Sequence, residues 1–200
     1  MAPSADLRGL LERPVLDVAP LLLGAVIRHD DVVCRLTEVE AYDGANDPGS
    51  HAYRGPTNRN SVMFGPAGHL YVYFTYGMHW CANVVCGPEG TASAVLLRAG
   101  EIVDGLEIAR ARRPAARSDR DLARGPARLC QALGIGREQN GHDLTLLPLT
   151  LSPPSAPATE VLTGPRVGLR AAADRPWRFY LPDEPTVSVY RPASRRRPRP

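Results

Sequence analysis

The chain has 200 residues, 44% hydrophobic and 22% charged, which is the composition of one ordinary soluble domain with a single core. No segment approaches the roughly 18 uncharged apolar residues of a membrane span, so we expect neither a membrane protein nor a secreted one, and predict a cytoplasmic location. The net charge is only +3, but all 24 basic residues are arginine, so no lysine side chain is available to form a Schiff base.

The first 30 residues are predicted to form an N-terminal arm. Residues 5–12 contain good helix formers, and residues 20–27 form a second apolar turn. Residues 32–42, VVCRLTEVEAY, then alternate as a strand. One face of this strand carries Glu38, Glu40 and Tyr42. The alternative to a functional role for this face is an ordinary, half-exposed polar strand.

Two features follow that strand. Residues 43–66 form a polar connection of about 24 residues, and loops of that length are more often functional than not. Residues 69–85 are predicted to form a β-hairpin, because LYVYFTY is rich in aromatic and β-branched residues, a glycine supplies the turn, and HWCANVV returns. Tyr71 and Tyr73 share one face of the hairpin. Its tip carries Tyr76, Met78 and His79.

The rest of the chain is predicted to contain both helices and strands. A strand follows at residues 91–98, and helices follow at residues 105–113 and 125–133. Pro126 and Gly134 suit the two ends of the second helix. Further strands are predicted at residues 144–151, 166–169, 177–181 and 187–190. Residues 191–200 are rich in arginine and proline, so we expect a disordered basic tail.

Four cysteines occur in apolar surroundings, namely Cys34, Cys81, Cys86 and Cys130. None belongs to a C-x-x-C pair or has a nearby histidine at zinc-finger spacing. We interpret them as reduced core residues and predict no metal site.

A carboxylate beside an aromatic ring on a rigid strand suits the excision of a base from a nucleic acid. The ring stacks on the extruded base, while the carboxylate orients or deprotonates a water molecule at the sugar carbon. Because the chain has no lysine amine, water is the expected nucleophile. A tyrosine at a hairpin tip is suited to act as a wedge in a minor groove.

Seven segments resemble, in the same order, the alkyladenine (3-methyladenine) DNA glycosylase family. The likeness extends from about residue 22 to residue 190. The segments are TEVEAY, His51, the TNRN and MF pair within residues 57–64, LYVYFTYGMHWCANVV, VLLRA, ARGPARLCQALGI and RVGL. The resemblance implies a single α+β domain, a curved antiparallel sheet with flanking helices and a protruding β-hairpin that intercalates into DNA.

The resemblance implies three groups that act on the attacking water. Glu40 is the general base, and Arg98 and the backbone carbonyl of Val167 help to hold the water. From the residues alone, the preferred interpretation of Arg98 is as a structural partner of Glu38 or Glu40. The resemblance selects Glu40 for catalysis and leaves Glu38 as a supporting carboxylate.

The resemblance also implies a pocket for the flipped base. Tyr42, His51 and Tyr73 stack around it and hydrogen-bond it, and Asn83 disfavours the exocyclic amine of normal guanine. A purine alkylated on its ring is cationic, so the tyrosine faces gain a cation–π attraction of about 0.5 to 2 kcal/mol for it. Two structural alternatives remain, in which His51 caps the long loop and Asn83 is a satisfied core amide.

The remaining matching residues are implied to contact the duplex. Tyr76 fills the hole that the flipped nucleotide leaves. Four other residues are implied to lie along the DNA, namely Arg59, Met63, Met78 and His79. His79 occupies a position where the family commonly has a tyrosine.

We therefore expect residues 1–190 to form one glycosylase domain, and residues 191–200 to form a basic tail that is either merely solvated or weakly attracted to DNA. The expected activity is monofunctional removal of alkylated or deaminated purines from double-stranded DNA, without a cofactor, by a monomer acting at the bacterial nucleoid. One alternative is a DNA module that recognises lesions without excising them. Another is an RNA-binding domain on a similar scaffold.

Overall fold

The computed structural model describes residues 7–193 of the chain. They form an α+β domain in which an antiparallel sheet curls into a half-barrel with a few short helices packed on it. The predicted α+β domain with a curved antiparallel sheet is therefore confirmed. The start of the predicted helix at residues 5–12 and most of the predicted tail lie outside the described residues. Within residues 7–193, no helix combines the length and the hydropathy that crossing a membrane requires.

Helices and strands alternate irregularly along the described residues. The elements are α1 Leu7–Leu11, α2 Val15–Leu21, β1 Val26–His29, β2 Val32–Asp43, β3 Leu70–Thr75, β4 His79–Cys86, β5 Ser93–Asp104, α3 Leu106–Arg112, α4 Pro126–Leu133, β6 Leu149–Ser152, β7 Leu162–Gly164 and β8 Arg178–Tyr180.

The long strand β2 organises the sheet. The strand order is β3-β4-β5-β2-β1-β6, and β8 pairs with β2 and β7, all in antiparallel fashion. The first residues of β2 pair with β1 and the later ones, from Glu38 to Glu40, pair with β8. Register shifts against β5 occur on both sides of Glu38. Such irregularities increase the local twist, so the sheet curls where β2 changes partner.

The sheet has a main core on one face and a smaller apolar cluster on the other. Helix α4 covers β4 and β5, begins with Pro126 and ends at Gly134 in the left-handed conformation with φ 73°. The smaller cluster lies under the long loop and consists of Ala52, Met63, Tyr71, Val85, Ala92 and Ala94. The loop at residues 43–66 is thus folded against the sheet.

Most of the predicted elements are confirmed. The structure has the strand at residues 32–42, the hairpin at 69–85, the helices at 105–113 and 125–133, and the strand at 177–181. The strand predicted at 91–98 continues to Asp104. The strand predicted at 144–151 is confirmed only at its end, because β6 begins at Leu149. All four cysteines are buried free thiols, as predicted.

Three local predictions are wrong. Residues 20–27 do not form one helical turn: α2 ends at Leu21, Gly24 adopts φ 81°, and Val26 begins a strand. Residues 166–169 form a turn around Gly168, which has φ 76°. Residues 187–190 form no strand, since the N–H of Ser188 donates to a side-chain carboxylate instead of a neighbouring strand.

Candidate active site

A cavity of about 350 Å³ opens between the sheet, the long loop and the turn at residues 166–169. It brings together residues that are far apart in the sequence. The predicted site residues that line it are Glu40, Tyr42, His51, Met63, Tyr73, Tyr76, Asn83, Arg98 and Val167. Arg59, Met78 and His79 are exposed and do not line it.

Glu40 lies at the floor of this cavity and has no exposed surface. Three donors face its carboxylate. The backbone N–H of Val167 donates to Oε1 at 2.7 Å, Arg98 Nη1 lies 3.3 Å from the same oxygen, and the Tyr42 hydroxyl donates to Oε2 at 2.8 Å. Burial and the Glu40 charge raise the pKa of Tyr42 well above its usual value, so this phenol keeps the proton that it donates.

Glu38 is also fully buried, and the interpretation of this face as a half-exposed strand is wrong. Its Oε1 accepts from Arg98 Nε at 2.9 Å and from Arg178 Nε at 2.6 Å, and its Oε2 accepts from the Ser188 N–H at 2.7 Å. The side chains of Arg98 and Arg178 and the segment at Ser188 cover Glu38 on the face of β2 that alternation leaves polar. Glu38 therefore anchors Arg98 while Arg98 faces Glu40.

Arg98 contacts both glutamates, as its interpretation as a structural partner predicts: its Nε donates to Glu38 and its Nη1 lies 3.3 Å from Glu40. Burial alone would lower its pKa, but the Glu40 and Glu38 carboxylates outweigh burial and raise it. Arg98 Nη2 also donates to the Ser188 hydroxyl at 3.1 Å. Its guanidinium is thereby fixed in one orientation at the cavity floor.

Aromatic rings form part of the cavity wall. Tyr71 and Tyr73 stack with ring centroids 5.5 Å apart, and His51 meets the Tyr73 ring edge-on at 4.5 Å. The Tyr71 hydroxyl lies 3.2 Å from His51 Nδ1. Partial burial and the Arg59 charge lower the pKa of His51, which favours a neutral imidazole. Tyr71 is 1% exposed and belongs to the smaller apolar cluster, as expected for a core residue.

Asn83 and Met63 are buried residues of the cavity wall. Asn83 is 5% exposed, and its Nδ2 donates to the Tyr71 carbonyl at 3.1 Å, so it is a satisfied amide that also borders the cavity. Met63 is 3% exposed. It belongs to the long loop, packs against the sheet and does not lie on the outer surface.

The hairpin tip stands beside the mouth of the cavity. Tyr76 is 84% exposed and adopts φ 51°, a left-handed conformation that is strained for a tyrosine. Met78 is 65% exposed. Arg59 lies across the Tyr73 ring, with its Cζ 5.5 Å from the ring centroid, and donates to the Phe74 carbonyl at 3.2 Å. Polar and apolar groups thus surround the mouth.

Sequence reasoning missed the groups that hold Arg98 and Glu38 in place. Arg178 and Ser188 lie 140 and 150 residues from Glu38, and no local pattern links them. Among residues 7–193, no group of three or more His, Cys, Asp or Glu side chains is arranged to bind a metal ion.

Comparison with known proteins identifies the family. The family model described as methylpurine-DNA glycosylase matches residues 9–185. The chain belongs to the methylpurine-DNA glycosylase family. The family resemblance inferred from the seven segments is therefore confirmed, and it places this glycosylase among DNA-repair proteins.

Several relatives of this glycosylase carry the name "putative 3-methyladenine DNA glycosylase". The protein from Streptomyces avermitilis is 56% identical, with 96% of this chain and 94% of the relative covered. The protein from Nocardia farcinica is 56% identical over 87% of this chain and 86% of the relative. The protein from Leifsonia xyli subsp. xyli is 57% identical over 90% of each chain. The similarity thus spans nearly the full length of these proteins.

Proposed function

We propose that this glycosylase flips an alkylated or deaminated purine out of double-stranded DNA and hydrolyses its N-glycosidic bond, leaving an abasic site. The observation that carries the proposal is the Glu40 carboxylate, held by three donors at the floor of an aromatic cavity. The proposed substrates are 3-methyladenine, 7-methylguanine, hypoxanthine and ethenoadenine. The proposed glycosylase domain is residues 1–190, acting as a cytoplasmic monomer without a cofactor.

Glu40 acts as the general base in this proposal. A water oxygen bonds to the anomeric carbon, its proton passes to Glu40, and the purine leaves with the electron pair of the broken bond. A ring-alkylated purine is already cationic and departs neutral, whereas a neutral purine such as hypoxanthine must gain a proton as it leaves. The anionic Glu40 also stabilises positive charge that develops on the sugar.

The attacking water needs a place beside Glu40, whose carboxylate has no exposed surface in the free protein. Val167 and Arg98 both face Oε1, and among the donors of residues 7–193 only the Tyr42 hydroxyl donates to Oε2. In our proposal the base stacks on Tyr42, the phenol gives up its bond to Oε2, and water takes its place. The Arg98 guanidinium and the Val167 carbonyl then orient that water.

The other site residues select and expose the base. His51 and Tyr73 enclose it, and the cation–π attraction of Tyr42 and Tyr73 for an alkylated purine is about 0.5 to 2 kcal/mol. Asn83 opposes the exocyclic amine of guanine. The exposed hairpin tip supplies Tyr76 as the wedge that replaces the flipped nucleotide in the stack. The exposed side chains of Arg59, Met78 and His79 lie along the duplex, whereas Met63 borders the cavity from within the long loop.

An excision assay on four duplexes, each carrying one of the proposed lesions, tests this function. Free purine is separated from DNA by chromatography after incubation with the purified protein. We expect release of at least the cationic lesions, because their bases are good leaving groups. Tight binding to these duplexes without release of any base would contradict the proposal and favour a non-catalytic lesion-binding module.

A further inference from the structure

Arg166 is buried behind the cavity wall, and the site described above gives its side chain no role. It is 1% exposed and is not a cavity-lining residue. Its Nη1 donates to the Ala41 carbonyl at 2.9 Å. Its two terminal nitrogens both donate to the carboxylate of Asp47, with Nη2 to Oδ1 at 2.7 Å. Asp47 has no exposed surface, so this ion pair is closed off from solvent.

Stability alone does not account for this buried ion pair. Removing two charges from water is costly, and well-packed apolar residues often replace such a pair with no loss of stability. Within residues 7–193, the Nε of Arg166 also has no hydrogen-bond partner, although it is buried. An unpaired buried donor adds the further cost of its lost hydration. The segments that the ion pair connects therefore indicate its role better than its contribution to stability does.

The arginine joins the strand of the general base to the turn that contacts it. Arg166 directly precedes Val167, whose N–H donates to Glu40 Oε1 at 2.7 Å. Its guanidinium packs on the ring of Tyr42, with Cζ 4.7 Å from the ring centroid. It also donates a hydrogen bond to the carbonyl of Ala41, the residue between Glu40 and Tyr42 in β2. One side chain thus fixes both the position of Glu40 and a donor to it.

Asp47 connects Arg166 to the long loop that carries His51. Asp47 Oδ1 also accepts from the Gly49 N–H at 2.9 Å, two residues before His51. A Cβ atom at Gly49 would lie 2.9 Å from Arg166 Nη2 and 2.9 Å from Leu169 Cδ1. The glycine therefore allows the loop to approach the arginine this closely. The ion pair is where the strand, the turn and the loop of the cavity meet.

We propose that Arg166 and Asp47 are positioning residues for base excision, which set the relative placement of Glu40, the Val167 turn and the His51 loop. This inference rests on the proposed function and extends it to residues that do not touch the substrate. Reactive groups displaced by about 1 Å lose about a hundredfold in rate, so loosening this junction slows excision more than it weakens DNA binding.

Two changes test the inference. Arg166→Lys keeps the charge but loses the two-pronged pairing and the flat stacking surface. The double variant Arg166→Gln with Asp47→Asn removes both charges together, which avoids leaving one charge buried and unpaired. Single-turnover excision of 7-methylguanine is measured per DNA-binding-competent molecule. Affinity is measured for a duplex with a tetrahydrofuran abasic-site analogue, which has no base to place in the cavity.

We expect both changes to lower the excision rate constant by about tenfold to a hundredfold, with the affinity for the abasic duplex within about threefold of wild type. The matched controls are Arg35→Lys and the double variant Arg35→Gln with Glu101→Gln. Arg35 also donates two hydrogen bonds to a carboxylate, that of Glu101, and one to Glu184, in a partly exposed cluster that does not line the cavity. We expect both controls to excise at the wild-type rate.

The outcomes separate this inference from the proposed function. Wild-type protein that releases no purine contradicts the proposed function itself. Wild-type release with unchanged rates in the Arg166 variants overturns the positioning role alone. A parallel fall of excision rate and abasic-duplex affinity also overturns it, since that pattern indicates only a structural role.

Discussion

Glu40 stays in place inside the protein because its two carboxylate oxygens are matched by donors from three parts of the chain. Val167, Arg98 and Tyr42 supply them. A buried carboxylate without such partners would cost several kcal/mol. With them, the group is fixed before any substrate arrives, and electrostatic catalysis depends on that preorganisation.

Tyr42 combines a stacking ring with a hydroxyl that covers Glu40, and two substitutions separate these roles. Tyr42→Phe keeps the ring and frees Oε2 for water, so we expect excision of 7-methylguanine within about threefold of wild type. Tyr42→Ala removes the ring, and the lost stacking of about 1 to 3 kcal/mol should slow excision about 5-fold to 150-fold. Equal losses in the two variants, measured in single turnovers, would show that the hydroxyl is required.

His51 gives the lesion preference a pH dependence. Its pKa lies below the usual 6.5, because burial and then the Arg59 charge disfavour the protonated ring. The ring is therefore neutral at pH 7 and becomes cationic only as the pH falls below 6.5. A cation there opposes a cationic purine more than a neutral one.

We expect the ratio of 7-methylguanine to hypoxanthine excision to fall as the pH is lowered from about 7.5 to 5, in part through His51. The measurement is the single-turnover rate for each lesion across this range. His51→Gln is the control, and the ratio should fall less steeply in it. The same fall in both proteins would remove His51 from the explanation.

The β3–β4 hairpin has two faces with different surroundings, as strand alternation requires. Tyr71 and Tyr73 face the cavity. On the other face, Phe74 and Trp80 pair across the strands with ring centroids 4.7 Å apart. Cross-strand aromatic pairs stabilise hairpins, so this pair stabilises the two strands that carry the tip.

Tyr76 at this tip is the proposed wedge, and its exposure allows a clean test. Tyr76→Ser should weaken excision by about 5-fold to 150-fold through the loss of about 1 to 3 kcal/mol of stacking, without lowering the melting temperature. Tyr53→Ser is the matched control, since Tyr53 is 47% exposed and does not line the cavity. Unaltered excision and DNA binding in Tyr76→Ser would show that the tyrosine is not a wedge.

The sequence predicts those parts of the fold whose structure is decided locally. Alternation predicts β2 and the hairpin, and Pro126 and Gly134 predict the ends of α4. The turn at residues 166–169 and the irregular segment at 187–190 could not be predicted in this way. Their backbones are fixed by bonds to Glu40 and Glu38, more than 100 residues away.

For the candidate site, the sequence predicts the central residues but not the residues that support them. Family resemblance points to Glu40 and Arg98, and the cavity contains both. Their supporting partners depend on tertiary contacts, as for Arg178, which reaches Glu38 across 140 residues. Arg166 was placed in a strand by its apolar neighbours, and only the fold brings it to Asp47.

The composition of the whole chain makes a prediction about the reaction product. Because the sequence contains no lysine, no ε-amine is available to form a Schiff base with the opened sugar. We expect free purine and an intact abasic strand, which electrophoresis before and after alkali treatment distinguishes from a cleaved strand. Efficient strand cleavage by the pure protein, or its trapping on DNA by borohydride, would contradict this expectation.

All parts of the domain converge on one carboxylate, so the decisive measurement is single-turnover excision by Glu40→Gln. Glutamine keeps the shape of the side chain but does not accept the proton of the attacking water. We predict that excision of 7-methylguanine falls by at least about a hundredfold, the scale of general-base catalysis, while the abasic-analogue duplex is still bound. Excision at a rate near that of the wild type would contradict the account.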